Sequence, residues 1–284
     1  MTWKQKAVIT SLKVLPQHWM SAMAGTLAGL PTPKPLRAAS VKAFGRVFGV
    51  DFDEVKEPLD TFGSLNAFFT RELKDGARPV DPDPAALVSP CDGAWGACGT
   101  ITDDTALQLK GRPYSVRMML HDDEKARLFD GGTYATLYLS PRDYHRFHSP
   151  CDGDVVGLRY VPGALWPVNG AGLQFVDGLF TKNERIIAWL RPRHRPDALV
   201  AMVAVGATMV GKIRVTFDDL TTNVASPTTT VRSYDPPVPL ARGQEWGRFL
   251  FGSTIVLLAT KGAFTVEAQR EGSPLRLGTR IGHL

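Results

Sequence analysis

From about residue 87 onward the chain is cut into short apolar runs by Gly, Pro and Asp, and this punctuation limits the fold more than any other feature. Examples are "TYATLYLS" (133–140), "DVVGLRYVPG" (154–163), "ALVAMVAVGATMVGKIRVTF" (198–217) and "STIVLLAT" (253–260). Runs of this length, rich in β-branched and aromatic residues and bounded by turn formers, read as strands. Helical segments do not alternate with them, which disfavours a doubly wound parallel sheet. The expected class is α+β, with a β-rich core of short, mainly antiparallel strands. The 27 glycines and 21 prolines in 284 residues favour turns and strands over long helices as well.

The N-terminal part has another character, and the chain divides into a helical region at 1–60 and a β-rich region at 61–284. Val8, Leu12, Leu15, Trp19 and Met23 step by four, three, four and four residues, so they share one helical face. Pro16 breaks that segment into two short helices. Lys4, Lys6 and Lys13 flank the apolar stripe, which suits an interfacial anchor. A helix packed on its own core gives the same pattern, and composition alone favours that second reading. "GLPTPKP" (29–35) is a linker before a short helix around "AASVKAFGRVF", and "SLNAFFTRELKDGARPVDPDP" (64–84) begins as a helix and ends extended.

A net charge of +5 suits an anionic partner, either nucleic acid or an acidic membrane. No basic run exceeds two residues and no nucleic-acid-reading signature is present, so no nucleic-acid partner is assigned. Uninterrupted apolar runs stay well short of the roughly 20 residues that cross a bilayer. Cys91, Cys98 and Cys151 form an odd set without metal or disulfide spacing, which points to a reducing compartment.

Several clusters carry chemistry-bearing residues. "SPCDGAWG" places Asp92 in a turn before a strand, and "SPCDG" recurs at 149–153, a candidate internal echo. "SPRDYHRFHSP" sets His145 and His148 three apart. On a strand they face opposite ways, and on a turn they share a side. Such a pair lacks a third ligand with recognised zinc spacing, so no metal is assigned. Each cluster taken alone is more often structural. Together, Asp92, His148 and Ser253 are the parts of an activated hydroxyl nucleophile, in which a base takes the serine proton and an acid orients the base. No GxSxG elbow surrounds Ser253, so an ordinary α/β-hydrolase fits poorly.

The segments "FFTRELKDGARP" (68–79), "SPCDGAWGACG" (89–99), "QLKGRPYSV" (108–116), "YLSPRDYHRFHSPCDG" (138–153), "LFTKNERI" (179–186), "VAVGATMVGKI" (203–213) and "FGSTIVLL" (251–258) closely resemble the phosphatidylserine decarboxylase family. Phe251 stands where the family usually has leucine, and His121 where it more often has glycine. The resemblance implies a pyruvoyl-dependent, membrane-associated enzyme in which Ser253 attacks the carbonyl of Gly252. His148, oriented by Asp92, is the implied base for that attack. The cut gives a β chain, 1–252, and an α chain, 253–284, whose first residue becomes the covalent pyruvoyl cofactor (pyruvate derived from Ser253). That group would form a Schiff base with phosphatidylserine, release CO2 and give phosphatidylethanolamine. His145, with a pKa expected near neutrality, is the implied acid that protonates the carbanion. Lys110 and Arg185 are candidates for the lipid phosphate.

In this reading 1–60 is the membrane-associating region and 61–284 the decarboxylase domain. The partners are phosphatidylserine in an anionic membrane and the two self-cleaved chains, paired again as a homodimer. The implied location is peripheral, on the cytoplasmic side of the cell membrane. The alternative is a serine hydrolase or self-cleaving peptidase with Asp92, His148 and Ser253 as a lasting triad. A second rival is a lipid-binding module in which Gly-Ser is only a turn.

Overall fold

The continuous apolar runs expected as strands become the centre of one large antiparallel sheet. In the computed structural model the described residues are Met23, 25–108, 112–168, Gly172, 176–208, 212–224, 227–250 and 253–284. The strands of the first half are β1 (Ala86–Val88), β2 (Gly93–Thr100), β3 (Thr105–Gln108), β4 (Arg112–Ser115), β5 (Thr133–Leu139), β6 (Arg146–His148), β7 (Gly153–Val161) and β8 (Arg185–Pro192). Those of the second are β9 (Val200–Val205), β10 (Ile213–Val215), β11 (Thr230–Leu240), β12 (Glu245–Phe249), β13 (Ser253–Ala259), β14 (Thr265–Val266), β15 (Pro274–Leu275) and β16 (Arg280–His283). The large sheet runs β11-β7-β8-β9-β13-β5-β2-β15, beside small sheets β1-β16-β14, β10-β12-β6 and β3-β4.

Strands β8, β9 and β13 show no apolar–polar alternation because the large sheet is covered on both faces. Ile255, Leu257 and Ala259 join one buried cluster, with Phe147, Ile213, Trp246 and Phe249 of the β10-β12-β6 sheet. Val256 and Leu258 point the other way, into a second cluster. Its lid is helical: α3 (Val116–Leu120), α4 (Asp123–Leu128) and α5 (Leu179–Lys182) supply Met119, Leu120, Ala126 and Phe180.

Ahead of the sheets lie α1 (Arg37–Phe48) and α2 (Leu65–Phe69), the latter capped by Ser64, which accepts from the Ala67 amide. A third cluster of Val41, Val50, Val55, Phe62 and Phe68 gives this part a core of its own. Val8, Leu12, Leu15 and Trp19 of the expected stripe lie outside the described residues. No helix among the described residues is long and apolar enough to cross a membrane. His121 ends α3 at φ +50°, the left-handed position that glycine fills without strain.

The repeated "SPCDG" is a true structural echo. Val88 N donates to Pro150 O at 3.0 Å, and His148 N donates to Pro90 O at 2.7 Å. Ser89 Oγ donates to Cys91 O, as Ser149 Oγ does to Cys151 O. Each copy is gripped by a Pro-Leu-x-x-Gly segment: Leu275 pairs with Gly93, and Leu240 pairs with Gly153. The closing glycines, Gly278 and Gly243, donate to Ser89 O and Ser149 O and have φ of +84° and +75°. A side chain at either glycine would strike the Pro79–Val80 stretch, which crosses both turns.

Candidate active site

The β-pairing register sets the two ends of the histidine motif against the start of β13 and the strand β12. Strand β5 ends at Leu139, the partner of Ser253, and β6 begins at Arg146, the partner of Arg248. The connection 140–145 therefore starts beside the Ser253 position and ends beside Arg248. Phe249 N donates to His145 O at 3.0 Å, fastening that end to β12. Gly252 and Phe251, the first half of the expected cleavage site, lie outside the described residues, as does Lys110.

His145 is wholly buried, with its ring 3.9 Å from that of Phe69. Its Nδ1 lies 2.8 Å from Asp143 O and donates to it, so Nε2 carries the lone pair and has no partner. Burial drives its pKa down to about 3. The expectation of a value near neutrality is thus corrected: the resting imidazole is neutral, and it accepts a proton before it can give one.

His148 closes β6 and is also buried. Its Nδ1 donates to Gly243 O at 2.9 Å, again leaving Nε2 bare and unpartnered. Burial lowers this pKa below 6.5, and the Gly243 bond only partly offsets that. The Gly243 carbonyl thus takes the orienting position expected of Asp92. Asp92 is engaged elsewhere. Arg78 clasps it through Nε at 2.8 and 3.0 Å and Nη2 at 2.5 Å, and Leu277 N donates to its Oδ1 at 2.8 Å. Arg78 also reaches Glu54 at 2.7 Å, so one guanidinium joins two carboxylates. Burial pulls the Arg78 pKa down, but its bonds to Asp92 and Glu54 outweigh that and leave it raised.

Two adjoining clefts open on this cluster. One, of about 240 Å³, is lined by Arg71, Asp92, Asp143 and Arg142 among others. The other, of about 260 Å³, is lined by His148, Gly243, Glu245 and Arg146. Arg78 and Tyr144 belong to both walls, so Asp92 and His148 face neighbouring spaces joined by Arg78. Burial raises the Asp143 pKa; its carboxylate accepts from Ser140 N and shapes the histidine loop.

Arg185 is not free for a phosphate. Its guanidinium is buried and donates to the carbonyls of Met118, Met119, Thr181 and Asn183. Burial lowers its pKa to about 10. Arg71, Arg78 and Gly243 were missed as site residues, although "FFTRELKDGARP" contains both arginines. Among the described residues no group of three or more His, Cys, Asp or Glu is disposed to hold a metal ion.

Two buried histidines, each with a bare Nε2, thus lie on a segment that Phe249 N ties to the chain ahead of β13, on an antiparallel β scaffold. A sequence model described as phosphatidylserine decarboxylase matches residues 65–283. The chain is 39% identical over 277 residues to the phosphatidylserine decarboxylase proenzyme of Anaeromyxobacter sp. (strain K), covering 96% of this chain and 97% of that one. It is 39% identical to that of Myxococcus xanthus (95% and 96% covered) and 42% identical to that of Stutzerimonas stutzeri (90% and 86% covered). The chain belongs to the phosphatidylserine decarboxylase family.

Proposed function

We propose that the chain is a proenzyme that cuts itself between Gly252 and Ser253 and then removes CO2 from phosphatidylserine to give phosphatidylethanolamine. One observation carries this reading. Two buried imidazoles keep Nε2 unprotonated and unpartnered around the segment fastened to the Gly-Ser strand start. A buried acceptor with no partner costs about 1–3 kcal/mol, a cost that a proton-transfer role explains.

In maturation, Ser253 Oγ attacks the Gly252 carbonyl while His148 Nε2 takes the hydroxyl proton. The Gly243 carbonyl holds the ring in the tautomer that permits this. The peptide becomes an ester, and its elimination breaks the chain. Asp92 is a positioning carboxylate: it fixes Arg78 in the wall shared with the His148 cleft. Hydrolysis with loss of ammonia then leaves a pyruvoyl group at the former Ser253. That group, once formed, supplies an electrophilic carbonyl system that draws off the electron pair left behind by departing CO2. The local residues fit it: Thr254 Oγ1, next in the chain, is buried without a partner, as is His145 Nε2. His145 takes up a proton at the reacting centre and returns it to carbon, and its burial keeps water from competing for that proton.

The N-terminal region, 1–60, docks peripherally on the cytoplasmic face of an anionic membrane. Leu27, Leu30, Leu36, Val47 and Phe48 are exposed there, among Lys34, Arg37, Lys42 and Arg46. The mature unit is the pair of cleaved chains, assembled as a homodimer.

Denaturing mass spectrometry tests the proposal. The wild type should separate into 1–252 and a blocked 253–284 fragment, and Ser253→Ala should stay full length and release no CO2. A full-length wild type that still decarboxylates the lipid would overturn the scheme.

A further inference from the structure

The first cleft holds one arginine that no carboxylate contacts directly. Arg78 is paired with Asp92 and Glu54, Arg276 with Glu54, and Arg142 lies 3.7 Å from Asp143. Arg71 is 4% exposed and makes no ion pair among the described residues. Its Nη2 donates to Arg142 O at 3.0 Å and Asp143 O at 3.3 Å, while Nε and Nη1 are enclosed without any partner. The Phe68 ring lies 5.1 Å below the guanidinium. Burial depresses its pKa, the more distant carboxylates of Asp92 and Asp143 offset this only in part, and arginine keeps its proton even so. A buried, unpaired guanidinium is among the costlier arrangements a fold can hold, and a bound anion removes that cost.

The position narrows the anion. The Asp143 carbonyl is shared by Arg71 Nη2 and His145 Nδ1, so the guanidinium and the proposed proton-transfer imidazole are tied through one oxygen atom. Gly49, the residue after the exposed Val47 (77%) and Phe48 (41%), lines the same cleft. An anion site thus sits beneath an apolar edge, the disposition a lipid headgroup needs when its chains stay outside. Arg71 is poorly suited to hold the carboxylate that leaves as CO2. An ion pair there would stabilise the ground state and be lost in the transition state.

We propose that Arg71 is the receptor for the phosphodiester of the lipid headgroup, through Nε and Nη1. This rests on the lipid-decarboxylase reading above. The test uses processed wild type, Arg71→Gln and Arg71→Lys, with maturation checked by mass. Short-chain phosphatidylserine gives KM and kcat; calorimetric titration with glycerophosphoethanolamine gives headgroup affinity without turnover. Arg71→Gln should raise KM roughly tenfold to a hundredfold, with a much smaller change in kcat, and abolish glycerophosphoethanolamine binding. Arg71→Lys should recover part of both, and it carries the test alone if Arg71→Gln does not fold. Unchanged KM and unchanged headgroup binding overturn the assignment. So does a folded variant that stays full length, because Arg71 would then serve the cut itself or the new Gly252 carboxylate. Inorganic phosphate that binds as tightly but does not compete with the lipid also overturns it, as a site for the free ion. If wild type binds the headgroup through Arg71 yet releases no CO2, the anion site stands and the decarboxylase reading falls.

Discussion

The two Ser-Pro-Cys-Asp-Gly turns share their backbone hydrogen bonds, their gripping Pro-Leu-x-x-Gly segments and their buried serine and cysteine, but differ in what surrounds the aspartate. Both aspartates receive a backbone N–H, Asp92 from Leu277 at 2.8 Å and Asp152 from Arg242 at 3.0 Å. Asp92 is buried under Arg78, whereas Asp152 is exposed. The position before each turn diverges too: Val88 in the first copy, His148 in the second. A duplicated scaffold thus supplies equivalent places that single side chains set apart. The proposed site takes its carboxylate from one copy and its base from the other.

The comparison is broken most severely at the position before the turn. His148→Ala should stop maturation outright, leaving a single full-length band under denaturing conditions. Val88→Ala, at the equivalent place, should mature completely and lose only packing stability, about 1–3 kcal/mol by chemical denaturation. Blocked maturation in both would mean that the turns act as a unit and that the imidazole has no special part.

A smaller effect separates the aspartates. Asp92→Ala leaves Arg78 with Glu54 alone and Leu277 N without its acceptor, a loss of about 1.5–3 kcal/mol. Maturation should slow as well. Asp152→Ala removes one hydrogen bond at an exposed position, about 0.5–1.5 kcal/mol. Thermal melting and the rate of fragment appearance check both. Normal maturation of Asp92→Ala would remove that carboxylate from the site.

Much of this was legible from residues alone. Turn punctuation and β-branched runs gave away the strands because both reflect local backbone preference. Burial of β9 and β13 on both faces came only with the packed sheet, although their runs do not alternate. What sequence could not show was partner choice across long separations. Nothing in "SPCDG" says that Asp92 will be taken by Arg78 and Leu277, or that Gly243 will accept from His148, 95 residues away. Nor does "NERI" reveal that Arg185 will be spent on four carbonyls. The low pKa of His145 escaped for the same reason, since desolvation by burial is a tertiary event. Arg71 and Arg78 lay in a segment quoted for its resemblance, and only their opposite pairing states set them apart.

The smallest expected effect is a flat line. The proposed base acts when neutral, and burial sets the folded pKa of His148 below the 6.5 of a free imidazole. Lowering the pH from 8 to 7 should therefore change the rate of self-cleavage little, and its half-maximal fall should come below pH 6.5. Stability follows the opposite bookkeeping. Below about 6.5 the unfolded chain binds protons that the folded imidazoles refuse, so stability declines as pH drops. For His145 that decline extends to about pH 3, where the buried ring itself protonates. His145→Phe should flatten the acid side of the melting curve and leave the maturation profile as it was. Time-resolved mass spectrometry and melting curves across this range measure the two separately. A cleavage rate that halves near pH 6.5 would place His148 in water in the competent state, and the copy that carries the base would then differ from its twin by residue type alone.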